Sequence, residues 1–327
     1  MIKNLFALIV IFAILFAGAF VYWAQQPIIG QGYAPIDFTI QAGSTVRGAA
    51  QQIANDGVPL NPVLFAWLAR LTGKASKLKA GSYELKPATT PLYLVEQLVR
   101  GEFAQESLTI IEGWTFQQMR QAIAANPALK HDTSSWTEKE LLEKIAPDFR
   151  AAEGLFFPDT YLFAKGSSDL QIYKRANAEL LKKLNDGWIQ RDISAPYKTP
   201  YQALIMASIV EKETGQKSER DMIAGVFVNR LKLGMLLQTD PTVIYGMGDQ
   251  YQGQIHKRDL QTDTPYNTYT RVGLPPTPIA LPGAASLNAA MNPAKTDALY
   301  FVSRKNGTSQ FSDNLDDHNH AVSRYQK

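Results

Sequence analysis

The chain has no cysteine among its 327 residues. That excludes disulfides, thiolate metal sites, a cysteine nucleophile and a lipidated N-terminal cysteine. Histidine is scarce, with His131, His256, His318 and His320 the only four. The cluster Asp316-Asp317-His318-Asn319-His320 matches no familiar ligand spacing and lacks a third anchor, so no metal is expected. There is no G-x-S-x-G elbow, no phosphate-cradling loop and no dinucleotide fingerprint. Nucleophilic serine chemistry and a cofactor are therefore unsupported. Nor is there an excess of one charge: 33 Lys and Arg stand against 30 Asp and Glu, which gives no argument for nucleic acid as a partner.

What the chain does have begins at its N-terminus. From Leu5 to Trp23 no residue is charged, close to the length a bilayer core requires of a helix. Lys3 and the terminal amine precede this run, and the next cation is Arg47, so the charge rule leaves the N-terminus in the cytoplasm and exports the rest. Tyr22 and Trp23 would sit at the outer interface. A cleaved signal peptide, with Ala17-Gly18-Ala19 as the small-residue site, is the competing reading, but the apolar run exceeds most such regions. The expectation is a single-pass anchor over residues 1–24 in the cytoplasmic (inner) membrane. Residues 25–36, rich in Gln, Gly and Pro, read as a spacer.

At this length two domains are expected, in an α+β architecture. Residues 37–105 form a small α+β unit. Phe38-Thr39-Ile40 reads as a strand, and Ser44 caps a helix carrying Val46, Ala50, Ile53 and Ala54 that Gly57 ends. A second helix starts at Asn61-Pro62, Gly81 to Leu85 reads as a strand, and Thr90-Pro91 opens a third helix. The first part has the size and order of a LysM-type glycan-binding module, although any small α+β domain would show the same periodicity.

Residues 106–327 read as a larger mixed α/β domain. A strand is expected at Leu108 to Ile111, with helices from Thr115, from Trp136 to Ile145 and from Asp169 to Asp186. The segment Glu153-Gly154-Leu155-Phe156-Phe157-Pro158-Asp159-Thr160-Tyr161 is dense in aromatics, which stack on sugars but more often build core. Asp221 to Leu233 is a helix ended by Gly234. Leu237 to Gly246, Tyr266 to Thr270, Gly273 to Pro276 and Ala280 to Gly283 read as Pro-fixed loops rich in hydroxyl and amide groups. Such groups suit sugar hydroxyls, and they equally suit turns and caps. Asn306-Gly307 between apolar runs signals a hairpin.

The most informative segment is Ala203 to Thr214, apolar almost throughout until Glu211 and Glu213. Thr199-Pro200 supplies an N-cap and a first helical residue. At about 100° per residue the helix is apolar nearly all round, so it is expected to be buried. Residues two apart point to different sides, so the two glutamates cannot act as one close pair. A glutamate forced against apolar side chains keeps its proton near neutral pH, as a general acid must. The alternative places both at an emerging helix end, solvated or paired with Lys212, Lys217 or Arg220. Cleavage of a glycosidic bond by a protonated carboxyl suits this inventory.

Ala207 to Thr214, Ser218-Glu219-Arg220-Asp221, Leu237 to Gly246, Tyr266 to Thr270 and Gly273-Leu274-Pro275-Pro276 closely resemble the YceG-like family, and the resemblance extends over nearly the whole chain. It implies endolytic, non-hydrolytic cleavage of the MurNAc–GlcNAc β-1,4 bond of peptidoglycan, limiting strand length. It also implies that the catalytic acid and base is the second glutamate of Glu-Lys-Glu, Glu213, with Glu211 in support. Gln238, Thr242, Tyr245, Asn267 and Tyr269 are the candidate groove residues, chosen by side-chain chemistry and place in the motifs. Implied partners are peptidoglycan strands and the peptidoglycan synthases of elongation or division complexes. Two alternatives stay open: a hydrolase using the same glutamate with water, and a non-catalytic glycan-binding scaffold.

Overall fold

The computed structural model describes residues 2–326, without the side chains of residues 2–5. Met1 with its amine and the Lys3 side chain, on which the charge-based orientation rests, lie outside the described residues. The chain forms two compact units: residues 1–107 with 162–167, and residues 108–161 with 168–327.

The first unit opens with α1 (Ile2–Gln25). Its Phe6–Gln25 stretch has a mean hydropathy of 2.5 and is long and apolar enough to cross a membrane. The residues that follow are not a free spacer. Ile28 N–H donates to Thr89 O at 2.8 Å, Ala88 N–H donates to Ile29 O at 3.1 Å, and Ile29 is buried. Two adjacent isoleucines give this Gln-, Gly- and Pro-rich segment enough apolar surface to join a core.

Strand β1 (Ile36–Ile40) pairs antiparallel with β2 (Gly81–Leu85), Phe38 opposite Tyr83, and their rings stack at 5.5 Å. Between them lie α2 (Val46–Asn55) and α3 (Pro62–Leu71). The α2 cap is Thr45, whose hydroxyl accepts the Gly48 N–H, rather than Ser44, whose hydroxyl donates to Gln52 instead. Asn61 caps α3, and Thr90 and the left-handed Gly101 bound α4 (Pro91–Arg100). Phe38, Ile53, Phe65, Tyr83, Leu85, Leu94 and Leu98 fill the core.

Strand β3 (Gln105–Thr109) begins three residues before the expected position and pairs with β4 (Thr160–Ala164), which the periodicity did not reveal. Helices α5 (Phe116–Ala125) and α6 (Glu138–Ile145) each start with a reciprocal capping box, Thr115 with Gln118 and Thr137 with Glu140. The aromatic segment before β4 is core. Phe156 stacks on Phe116 at 5.4 Å and meets Tyr173 edge-on at 5.7 Å.

Then come α7 (Asp169–Ile189), α8 (Pro200–Glu213), α9 (Arg220–Leu233) ending at left-handed Gly234, α10 (Asp240–Met247) and α11 (Lys257–Gln261). Next are α12 (Ala284–Met291), the hairpin β5 (Tyr300–Ser303) and β6 (Ser309–Ser312), and α13 (Leu315–Tyr325). Helix α10 replaces most of a segment expected to be loop, because Asp240-Pro241 occupies its first turn and starts the helix as readily as it makes a turn. The central α8 packs against α7, α9, α10 and α12.

Close approach at α9 requires a glycine. A Cβ on Gly225 would lie 2.7 Å from Ala294 O and 2.9 Å from Thr296 Cγ2. The Ala294 backbone cannot retreat freely, since its N–H donates to Asp221 O at 2.9 Å. Gly225→Ala is expected to lower stability by roughly 1–3 kcal/mol. An unchanged denaturant midpoint for the detergent-solubilised variant would contradict this packing.

Candidate active site

The site is built on the end of α8. Thr199 accepts the Gln202 N–H, Pro200 takes the first helical position, and all residues from Ala203 to Val210 are buried. Ser208 tolerates this interior by donating to Ile205 O at 2.7 Å and accepting the Ile279 N–H at 3.0 Å. A helix so enclosed brings its last turn to the edge of the interior, with Lys212 exposed and Glu211 and Glu213 half-buried on either side of it.

The two glutamates of that turn meet different surroundings. Glu211 accepts from Arg220 Nη2 at 3.1 Å and from the Gly283 N–H at 2.9 Å, and the ion pair leaves only 5% of the Glu211 side chain and 6% of the Arg220 side chain exposed. A side chain at Gly283 would strike the Glu112 carboxylate. Glu213 has no ion-pair partner among the described residues. Its carboxylate accepts a hydrogen bond from the Thr239 hydroxyl. Burial pushes the Glu213 carboxyl up to about 6; the Thr239 bond pulls against this, Asp240 adds to it, and the nearby Arg230 charge opposes it.

The loop that carries Thr239 is tied down by neutral bonds. Thr239 N–H donates to Thr268 Oγ1 at 3.0 Å, and Gln238 N–H donates to Thr268 O at 3.1 Å. Arg230 reaches under the loop, donating to Leu237 O at 2.8 Å and Leu299 O at 2.7 Å, while its guanidinium lies 5.2 Å from the Tyr300 ring centre. Gln238 has φ of 50°, a left-handed conformation costly for a residue with a Cβ.

The five candidate groove residues separate into three groups. Gln238 is exposed and adjoins Thr239, and the half-buried Tyr269 donates its hydroxyl to Asp240 Oδ1 at 2.5 Å. Thr242 and Asn267 are wholly buried, with their polar groups spent inside the protein. Thr242 Oγ1 donates to Thr239 O at 2.7 Å. Asn267 Nδ2 donates to the carbonyls of Leu260 and Thr262 at 3.0 and 2.7 Å, and its Oδ1 accepts the Tyr269 N–H at 2.8 Å. Tyr245 donates its hydroxyl to Glu153 Oε2 at 3.2 Å and meets Tyr266 edge-on at 4.8 Å.

The sequence pattern shows Glu153 only as the first residue of an aromatic segment and does not mark it as a titratable group. It is buried at the start of α5, where its carboxylate accepts the Phe116 N–H at 3.0 Å. Burial pushes it up to about 7, against the pull of the Phe116 and Tyr245 bonds. A lone carboxylate between Ala151-Ala152 and Leu155-Phe156-Phe157 was the available signal. Thr239, Asp240 and Arg230 were also missed, although Thr239 and Asp240 lie between two chosen residues. Of the two carboxyls that burial raises, Glu153 is enclosed, while Glu213 is half-buried and can give a proton to a bound group and take one back.

The sequence profile of the YceG-like family matches residues 38–324. An endolytic murein transglycosylase of Bacillus subtilis is 31% identical over 341 residues, covering 95% of this chain and 91% of that protein. One of Streptococcus pneumoniae is 27% identical over 361 residues, covering 97% of this chain and 64% of that longer protein. Among solved structures, that of a YceG-like protein from Listeria monocytogenes has a TM-score of 0.56 and 32% identity, covering 88% of this chain and 98% of that one.

The unequal settings of the two glutamates predict opposite effects on stability. Glu211→Ala leaves the Arg220 charge buried without its partner and is expected to cost roughly 3–5 kcal/mol. Glu213 differs because its folded carboxyl binds a proton more tightly than an unfolded one, so its contribution is present at low pH and lost as pH rises from about 4.5 through about 6. Glu213→Gln therefore matches the parent chain near pH 4 and exceeds it above pH 6, by up to about 2 kcal/mol. Denaturant titrations at the two pH values check both; equal losses for the two variants at neutral pH would contradict the division.

Proposed function

The chain belongs to the YceG-like family, and from that membership and the setting of Glu213 we propose that it is an endolytic peptidoglycan lytic transglycosylase. The observation that carries the reading is a half-buried carboxyl at the end of the core helix, raised to about 6 and bonded to a neutral hydroxyl instead of a cation. In the first step Glu213 gives its proton to the oxygen that leaves C1 of MurNAc. The C6 hydroxyl of the same sugar then bonds to C1, and the Glu213 carboxylate takes the hydroxyl proton. The products are a 1,6-anhydroMurNAc end and a free GlcNAc hydroxyl, so the proton returns to Glu213 and no water enters. One carboxyl serves both steps.

In this reading Gln238 and Tyr269 touch the glycan, since both have exposed surface beside Thr239 and Asp240. Thr242 and Asn267 hold the loops, Tyr245 fixes α10 through Glu153, and Glu211 fixes the end of α8. The β1-α2-α3-β2 order with an antiparallel strand pair supports a LysM-like glycan-binding module within residues 37–105. The apolar α1 supports a single-pass anchor in the cytoplasmic membrane; the charge rule favours the N-terminus inside and both units outside, and the family membership favours the peptidoglycan synthases of elongation or division complexes as partners.

Mass spectrometry of fragments released from purified murein tests the reaction. Anhydro ends are expected, and Glu213→Gln is expected to lower their release by about 10²–10⁴-fold. Reducing MurNAc ends alone would make the enzyme a hydrolase, and full release by the variant would make the chain a scaffold. The pH profile tests the proton source. The basic limb of kcat/KM is expected near pH 6, where Glu213 loses its proton. Thr239→Val removes a bond that lowers this value and shifts the limb upward, whereas Tyr245→Phe, whose hydroxyl contacts Glu153, does not. A limb that moves with Tyr245→Phe and not with Thr239→Val would assign the proton to Glu153.

A further inference from the structure

The first unit exposes apolar side chains that its own core does not use, and the backbone fixes where two of them lie. Leu92 on the first turn of α4 is 37% exposed, and Tyr33, four residues after the buried Ile29, is 68% exposed. The hydrogen bonds from Ile28 to Thr89 and from Ala88 to Ile29 clamp the segment leaving α1 to the loop that opens α4. Lys86 is exposed in that same loop, and its carbonyl accepts the Thr89 N–H.

The clamp begins inside α1 itself. Ala24 belongs to the core of the unit, and Phe20 and Trp23 pack against it. At 1.5 Å per residue, Phe20 precedes the end of α1 by roughly 8 Å, comparable to the depth of one headgroup layer. The folded unit therefore overlaps the last turn of the apolar helix, with no free linker between them. If α1 crosses a bilayer, the unit cannot stand off from it.

We propose that the first turn of α4 around Leu92, with Tyr33 and Lys86, docks into the headgroup layer of the bilayer that α1 crosses. An aliphatic side chain, a tyrosine and a lysine carried on segments that one clamp joins to the end of α1 match the chemistry of that region, apolar inward and cationic toward lipid phosphates. The occupant is the membrane, because continuity with α1 brings it there. The docking rests on the anchor reading of α1 and adds a second contact that orients the unit.

The cysteine-free chain accepts single spin labels at exposed positions. The whole protein would be placed in vesicles of phosphatidylcholine with phosphatidylglycerol, labelled in turn at Ile9→Cys, Leu92→Cys, Tyr33→Cys and Ile193→Cys. Collision with oxygen and with a water-soluble nickel complex would be measured. Ile9 is 58% exposed in the apolar run and Ile193 is 86% exposed in the other unit, so they report hydrocarbon and water. Labels at 92 and 33 are expected to show a severalfold loss of nickel collision relative to 193, and Lys86→Glu is expected to restore part of it. Nickel access at 92 and 33 equal to that at 193, with 9 protected, would overturn the docking and leave the anchor intact. Nickel access at 9 would overturn the anchor, and the docking with it.

Discussion

A buried ion pair between Glu211 and Arg220 is the constraint on which the candidate site depends. It joins the last turn of α8 to the first residue of α9, and the Gly283 amide adds the start of α12 to the same carboxylate. Without compensation, a helix enclosed from Ala203 to Val210 could not end in the interior with two acidic residues. The pair neutralises one of them. The other, on a different side of the helix, is left facing a hydroxyl. Had Arg220 reached Glu213 instead, its charge would have held that carboxyl ionised, and the proton required for acid catalysis would be absent.

Around this turn the fold spends neutral hydrogen bonds rather than further charges. Thr239, Thr242 and Thr268 bond to one another and to each other's backbone, which holds the Thr239 hydroxyl toward Glu213 without adding charge beside it. Asp240 and Arg230 are the exceptions, and Arg230 is directed mainly at carbonyls of Leu236, Leu237 and Leu299. It thereby connects the loop of the site to the start of β5. The strained backbone of Gln238 sits in the same loop, where these bonds can sustain it.

Much of this was legible in the sequence, because it depends on local chemistry. Thr199-Pro200, Thr90-Pro91, Gly234 and Asn306-Gly307 mark element ends by capping, φ preference or turn type, and each lies where expected. The burial of α8 followed from its all-round apolarity. Arg220 was one of three cations weighed as partners for the glutamates, but only the folded chain brings it to Glu211 and not to Glu213. The groove was less legible. A threonine or asparagine offers a sugar the same groups it offers a backbone carbonyl, and Thr242 and Asn267 offer them to the backbone. Residues 25–36 misled by composition, since two isoleucines outweighed the Gln, Gly and Pro around them. Helix α12, rich in alanine, gave too little contrast to be read as a helix.

In the folded chain Glu213 holds its proton up to about pH 6, above the ordinary glutamate range. Infrared titration with carbon-13-labelled glutamate, taken as the difference between the parent chain and Glu213→Gln, measures that proton directly. A protonated carboxyl band is expected that is present at pH 5, disappears with a midpoint near 6 and is missing from the variant. A difference spectrum with a midpoint at the ordinary glutamate value of about 4.3 would contradict it.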